Sequence, residues 1–442
     1  MSLLASVYRL LRPVNHPVVD AALAQALPTA ERTGRRLIVL SLLERRNDAG
    51  LAALVQHYHL LGRQLQHVIL EHIPLLDPAL RGASRDGDVQ TRLNVVDLVG
   101  QSVSFRLSYL LSAQLHMDDA RVTRAAAAAL RKLAESISSL APRRPGDDVA
   151  QRIKWLGVSL AEASACYHQH GRHDVLAAIA HLAPRRIAKL DEHLCDRRCA
   201  AQPALRDMIR HADRPEVTRA ALYFAALEPL RPAVTEMLSR PDSAGRLGLL
   251  IPSAHLLAVP AVAHTVTKAA DAVHLCPDAA ALAELDPPAQ RLAARWTQTL
   301  HIPADRRARG LEPLTHSDDP ATRLIALRAL IQLRDPAADD GIAGLCTDAE
   351  PAIARIALRH LIQRRWKGLD ELSLRLVNSP HDEIRRMAER HLAPVGLARL
   401  WEQWDQMDIT TRTAAGKALL KIDGDFHRQL AQRFSDLDSR SR

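Results

Sequence analysis

Among residues whose type could do chemistry, the 21 histidines stand out first. His57, His59, His67 and His72 fall in one segment, with Glu71 beside His72. A metalloprotease helix needs two histidines one turn apart with a glutamate following the first, and no His-Glu dipeptide occurs in the chain. His57 and His59, two residues apart, point to different sides of a helix. Asp191 to Cys199 is a second candidate: Cys195 and Cys199 are expected on one helix face, with His193 near them. A structural zinc site wants four ligands at tighter spacing, and no second cysteine pair exists. Two small buried cysteines at a helix interface are expected there instead. Nucleophile, phosphate-loop and dinucleotide motifs are absent: no Gly-x-Ser-x-Gly, no Gly-Lys-Ser/Thr, no glycine-rich strand-to-helix turn. Trp401-Glu402-Gln403-Trp404-Asp405 is the last cluster, with Trp401 and Asp405 one helical turn apart in a chain that is 3% aromatic. It reads first as packing near the C-terminus and second as a partner-binding hot spot. No catalytic residue, metal or cofactor is expected.

The elements that would position any site are helices. Apolar residues recur at three- and four-residue spacing nearly everywhere, β-branched alternation is rare, and Pro, Gly and Asp punctuate the chain at short intervals. A core of Ala and Leu suits helices whose axes approach closely. The five cysteines (166, 195, 199, 276, 346) are odd in number and scattered, which argues for a reducing compartment. Met1–Arg12 reads as a short amphipathic helix rather than a signal peptide. Gly248–Thr267 is uncharged and long enough to span a bilayer, but Pro252, Pro260, His255 and His264 favour a buried helix pair broken at the prolines. The formal charge is +9, and lysine stands only at 132, 154, 189, 268, 367, 417 and 421, so nearly all of the 59 cations are arginine.

An internal repeat organises the chain. Asp319-Pro320-Ala321-Thr322-Arg323, followed by Leu324 to Gln332, aligns with Glu350-Pro351 to Gln363 at a shift of 31. Met387-Ala388-Glu389-Arg390-His391-Leu392 follows at the same shift. Asp286-Pro287 to Arg295 lies 33 residues upstream of the first copy, and Ala414-Ala415-Gly416-Lys417-Ala418-Leu419 lies 27 beyond the third. Asp319 and Asp286 suit the N-cap, and the proline suits the first helical position, where its missing N–H costs nothing. The constant alanine (Ala326, Ala357, Ala388) marks where a neighbouring helix comes close. Fainter copies run to the N-terminus: Asn15-His16-Pro17, Asp88 to Leu93, and Val122-Thr123-Arg124-Ala125-Ala126, which recurs as Val217-Thr218-Arg219-Ala220-Ala221.

This pattern resembles HEAT-like repeats, especially the short bacterial kind also found in phycobilisome lyases. The resemblance implies an all-α fold: an α-solenoid, a right-handed superhelix of antiparallel helix pairs whose second helices line the concave side. It is clear over 285–434, divergent over 1–284 in the same solenoid, and leaves 435–442 as a flexible tail. HEAT-like deoxyhypusine hydroxylases use paired His-Glu motifs for iron, and this chain has none. HEAT-like alkylpurine DNA glycosylases place tryptophan and aspartate on the concave face, a similarity carried here by Trp401 and Asp405 alone.

The strongest functional signal is a column. Arg295, Arg328, Arg359, Arg390 and Lys417 take one position in five successive repeats, far from the Ala/Leu face and beside Gln332 and Gln363. Arg355 and Arg386 broaden it, and residues 351–400 hold an excess of five positive charges. The column reads either as a binding stripe or as a solvated face laddered with aspartates such as Asp318. The leading expectation is a cytoplasmic, non-catalytic scaffold holding an acidic protein segment. Nucleic-acid binding, with or without glycosylase-like chemistry, and a chromophore-lyase-like enzyme subunit are the alternatives. No membrane partner is expected.

Overall fold

The computed structural model describes residues 14, 16–138, 148–212, 214–269, 272–403, 409–422 and 424–440. Every regular element among them is a helix, α or 3-10, and none is long and apolar enough to cross a membrane. The chain divides into two compact units, Met1–Met237 and Leu238–Arg442. That break in packing lies well before residue 285, where the sequence repeat becomes regular.

In the N-terminal unit six helices form one layer: Pro17–Ala26, Asp48–Gln56, Val89–Gln101, Ala120–Ser138, His173–Leu182 and Pro215–Ala225. Each packs against the next in chain order. Three of the six starts carry side-chain caps. His16 Nδ1 accepts from Val18 N at 3.3 Å, Asn47 from Ala49 N at 3.0 Å, and Asp88 from Thr91 N at 2.8 Å. Small residues let the axes approach: a Cβ added at Gly100 would come within 3.1 Å of the Ala129 side chain on the next helix. The remaining helices of this unit, such as Val149–Ala165, pack behind this layer.

In the C-terminal unit the corresponding layer is Pro260–Thr267, Pro287–Thr299, Pro320–Leu333, Pro351–Arg364, Asp382–Gln403 and Ile409–Ile422. Again each packs against its successor. Asp286 accepts from Ala289 N at 2.9 Å and Asp319 from Thr322 N at 3.0 Å, with proline at the first helical position in both. The repeat alanines Ala326, Ala357 and Ala388 are fully buried. Trp296, also fully buried, donates its indole N–H to Leu275 O at 2.8 Å. The uncharged stretch Gly248–Thr267 is broken at its prolines, a 3-10 segment Ile251–Ala258 preceding a helix that starts at Pro260.

Two local expectations differ from the structure. Cys195 and Cys199 do not share a helix face: the helix Ala188–Cys195 ends at Cys195, which is exposed, and Cys199 is buried in the turn that follows. Asp196, with its extended backbone, breaks the helix there. At the other end, helix Phe426–Arg440 takes in residues 435–440 of the segment expected as a tail, where Phe426, Leu430, Phe434 and Leu437 keep helical spacing, and residues 441–442 lie outside the described residues.

Candidate interaction surface

Counted from the first residue of its helix, each cation of the column is the ninth residue: Arg295, Arg328, Arg359, Arg390 and Lys417. All five are exposed, as are Gln332 and Gln363. The residues on either side turn inward. Around Arg328, Ala326, Leu327, Ala329 and Leu330 are all buried. The side chains of Arg295, Arg328, Arg359 and Lys417 have no hydrogen-bond or ion-pair partner among the described residues. Arg390 donates only to the Arg386 carbonyl, at 3.3 Å.

The ladder of ion pairs is a different set of residues. Arg291, fifth in its helix, lies 3.8 Å from Asp319 at the start of the next. Arg323, fourth in its helix, binds Asp348 through two nitrogens at 2.7 and 2.9 Å, ahead of the next start. Arg355, fifth in its helix, reaches Glu383, second residue of the next, at 3.3 Å. Arg355 therefore belongs to the ladder and not to the free row with which the sequence grouped it. Arg386, also fifth, is exposed and has no side-chain partner among the described residues. Asp318 is not a rung; its carbonyl accepts from Arg323.

Geometry at both ends of one helix pair fixes how the row is built. Arg291 meets the start of helix Pro320–Leu333, while Gln298, near the end of its own helix, donates to Gln332 near the end of that one at 3.4 Å. Start meets start and end meets end, so these two helices run in the same direction and level. Their ninth residues must then be neighbours, at the ~8–10 Å spacing of packed helix axes.

The electrostatics of the ladder follow from its contacts. Burial works to raise the Asp348 carboxyl, but the Arg323 guanidinium and the Glu350 N–H outweigh it and hold the group below the usual carboxylate range. The Thr322 hydroxyl and N–H do the same for Asp319. In the N-terminal unit Thr91 does it for Asp88. Arg92 there donates to the Gly87 and Ser84 carbonyls at 2.7 and 2.9 Å, and Arg323 donates to the Ser317 carbonyl at 2.8 Å. Asp88-x-x-Thr91-Arg92 and Asp319-x-x-Thr322-Arg323 are thus the same device in different units.

Ninth residues of the N-terminal layer carry other chemistry: Gln25, Gln56, Asp97, Ala128, His181 and Tyr223. His181 and Tyr223 line one cavity of about 560 Å³ with Ser138, Arg185, Glu216 and Arg219. Sequence reasoning missed this cavity, and counting from each helix start would have found two of its lining residues. Of the histidines singled out by sequence, His72 bonds the Val68 carbonyl one turn back at 2.8 Å, and His59 bonds Asn94 of helix Val89–Gln101 at 3.1 Å. Among the described residues no three His, Cys, Asp or Glu side chains come together as metal ligands. The side chains of Trp401, Trp404 and Asp405, and residues 1–12, lie outside the described residues. No protein-family model matches this chain, and no curated protein matches it either.

Proposed function

We propose that the chain is a non-catalytic scaffold of HEAT-like repeats whose row of ninth-residue cations holds an acidic segment of a protein partner. The observation that carries this reading is the separation of two arginine sets in the C-terminal unit. One set ties three of that unit's helices to the element that follows. The other stands exposed at one level, and four of its five side chains lack any partner among the described residues. Like charges converging on one surface add their fields, a cost a protein tolerates where an opposite charge is to be bound. In this reading each unit is a solenoid segment, with the capped layer on its binding side. The free cysteines support a cytoplasmic location.

The test is the triple variant Arg328→Glu, Arg359→Glu, Arg390→Glu, assayed against a partner recovered from native lysate. Binding should be abolished while helicity and melting temperature are retained, because exposed substitutions rarely unfold a protein. A folded triple variant that still binds its partner would overturn the reading. Steeply salt-dependent binding of generic duplex DNA, lost in the same variant, would assign the row to nucleic acid instead.

A further inference from the structure

We propose that the cation row of the C-terminal unit binds a partner segment in the polyproline II conformation, with an acidic residue at every third position. This inference rests on the acidic-segment reading above and adds the conformation and spacing that the row selects.

Neighbouring helices set the period of the row. At three successive joints a residue near the start of one helix meets the start of the next: Arg291 with Asp319, Arg323 with Asp348, and Arg355 with Glu383. The four helices therefore run in one direction. Arg295, Arg328, Arg359 and Arg390 stand side by side, one per ~8–10 Å of helix spacing. A ligand matches such a row when it brings the same face round at that interval. A β-strand does so every ~6.7 Å, and an α-helix every ~5.4 Å or, over two turns, ~10.8 Å. A polyproline II chain does so every three residues, ~9.3 Å. Three such steps carry a chain of ten residues past four arginines.

The strip around the row favours the same ligand. Residues one turn apart share a face of a helix, so the fifth, ninth and thirteenth residues form one strip. Across the five helices of the row none of these residues is Asp or Glu. An entering carboxylate therefore meets cations without a fixed carboxylate beside them on the strip, and its bonds to guanidinium are charge-assisted. Gln332 accepts from Gln298 at 3.4 Å, which leaves its own amide N–H groups to donate. Gln363 is exposed and has no side-chain partner among the described residues. A polyproline II chain has no internal hydrogen bonds, so its carbonyls are open to these donors. Such a chain is already extended in solution, and little ordering opposes its binding.

The experiment compares two synthetic ten-residue peptides of identical composition, by fluorescence anisotropy with the full chain at low salt. In one, four glutamates are each separated by two prolines. In the other the four are consecutive, with three prolines on either side. The spaced peptide should bind about tenfold more tightly, because each further contact becomes intramolecular only where the spacing permits it. The double variant Arg328→Glu, Arg359→Glu should abolish that binding. Equal affinity for the two peptides, lost in the double variant, would overturn this inference and leave the acidic-segment reading in place. Binding that survives in the variant, or no saturable binding of either peptide, would also overturn it, and the reading itself then stands or falls on the partner recovered from lysate. Tighter binding of oligothymidylate, or of an alanine-based helix with glutamate at every seventh residue, would give the row to nucleic acid or to a helical partner instead.

Discussion

The two units carry one kind of layer and two kinds of surface. In both, helices pack in chain order, and the ninth residue is exposed or, at His181 and Tyr223, half-buried. In the C-terminal unit that residue is Arg or Lys five times running, and Lys268 directly follows helix Pro260–Thr267. In the N-terminal unit it is never a Lys or Arg, passing through Gln, Gln, Asp, Ala, His and Tyr. The backbone device is shared, since Asp88 and Asp319 cap with the same threonine and arginine. What differs is the chemistry it displays. Capping and burial constrain one set of positions, the surface constrains another, and the second is free to change without disturbing the first.

That separation can be broken or sharpened by measurement. The largest effect is expected inside the ladder. Asp348 is almost fully buried and Arg323 nearly so, so Asp348→Ala leaves a guanidinium half-desolvated without its partner. It should cost roughly 3 kcal/mol in denaturant unfolding, toward the lower end for a buried pair. Next comes the contact between neighbouring helices. Ala357→Leu overpacks a fully buried site and should cost ~1–3 kcal/mol, whereas Ala128→Leu, at an exposed ninth position, should cost almost nothing. An unchanged melting temperature for Ala357→Leu would mean that the helices do not touch there.

Acid should then distinguish the units. Burial lowers the His57, His170 and His181 imidazoles in the N-terminal unit, and His360 in the other. A histidine whose folded value lies below its unfolded 6.5 binds more protons when unfolded, so stability is lost as pH falls through that window. Hydrogen exchange at pH 5.5 against pH 7.5 should show the greater loss of protection in the N-terminal unit. The depressed carboxyls of Asp88, Asp319 and Asp348 act later and in both units. Their contribution is present above the unfolded value of 3.8 and is lost as pH falls through the lower folded values. The smallest effect is expected on the surfaces themselves. Gln56→Ala and Arg359→Ala should each change stability by less than about 0.5 kcal/mol, and a larger loss at Arg359 would mean that the row is structural.

The sequence made the C-terminal layer readable because its helices begin at 287, 320, 351 and 382, nearly equal steps that keep like residues in register. Starts in the N-terminal unit fall at 17, 48, 89, 120, 173 and 215. Extra helices such as Arg63–Glu71 and Val149–Ala165 stretch those steps, so an alignment at fixed shift slides off the motif. Aspartate capping was legible from residue type, and the alanine contacts from the wheel. The division of arginines into tied and free was not, because it depends on whether a side chain reaches the next helix. Arg355 and Arg359 are one turn apart in sequence, yet only Arg355 meets a carboxylate. Cys195 and Cys199 misled for a related reason: helical spacing means nothing once a helix has ended between two residues.

Arg323, partly buried and five residues before Arg328, is not part of the row, yet it holds in place the helix that carries Arg328. Its guanidinium holds the turn before its own helix and the loop before the next, so it acts as a detent against axial sliding. A slip of one helical turn, about 5.4 Å, would set Arg328 beside the thirteenth residue of one neighbour and the fifth of another. Evenly placed charges would become staggered ones, with no change in composition or net charge. The alignment of the outer cations is in this sense a manufacturing tolerance, and it is held by a residue that a map of the surface alone would leave out.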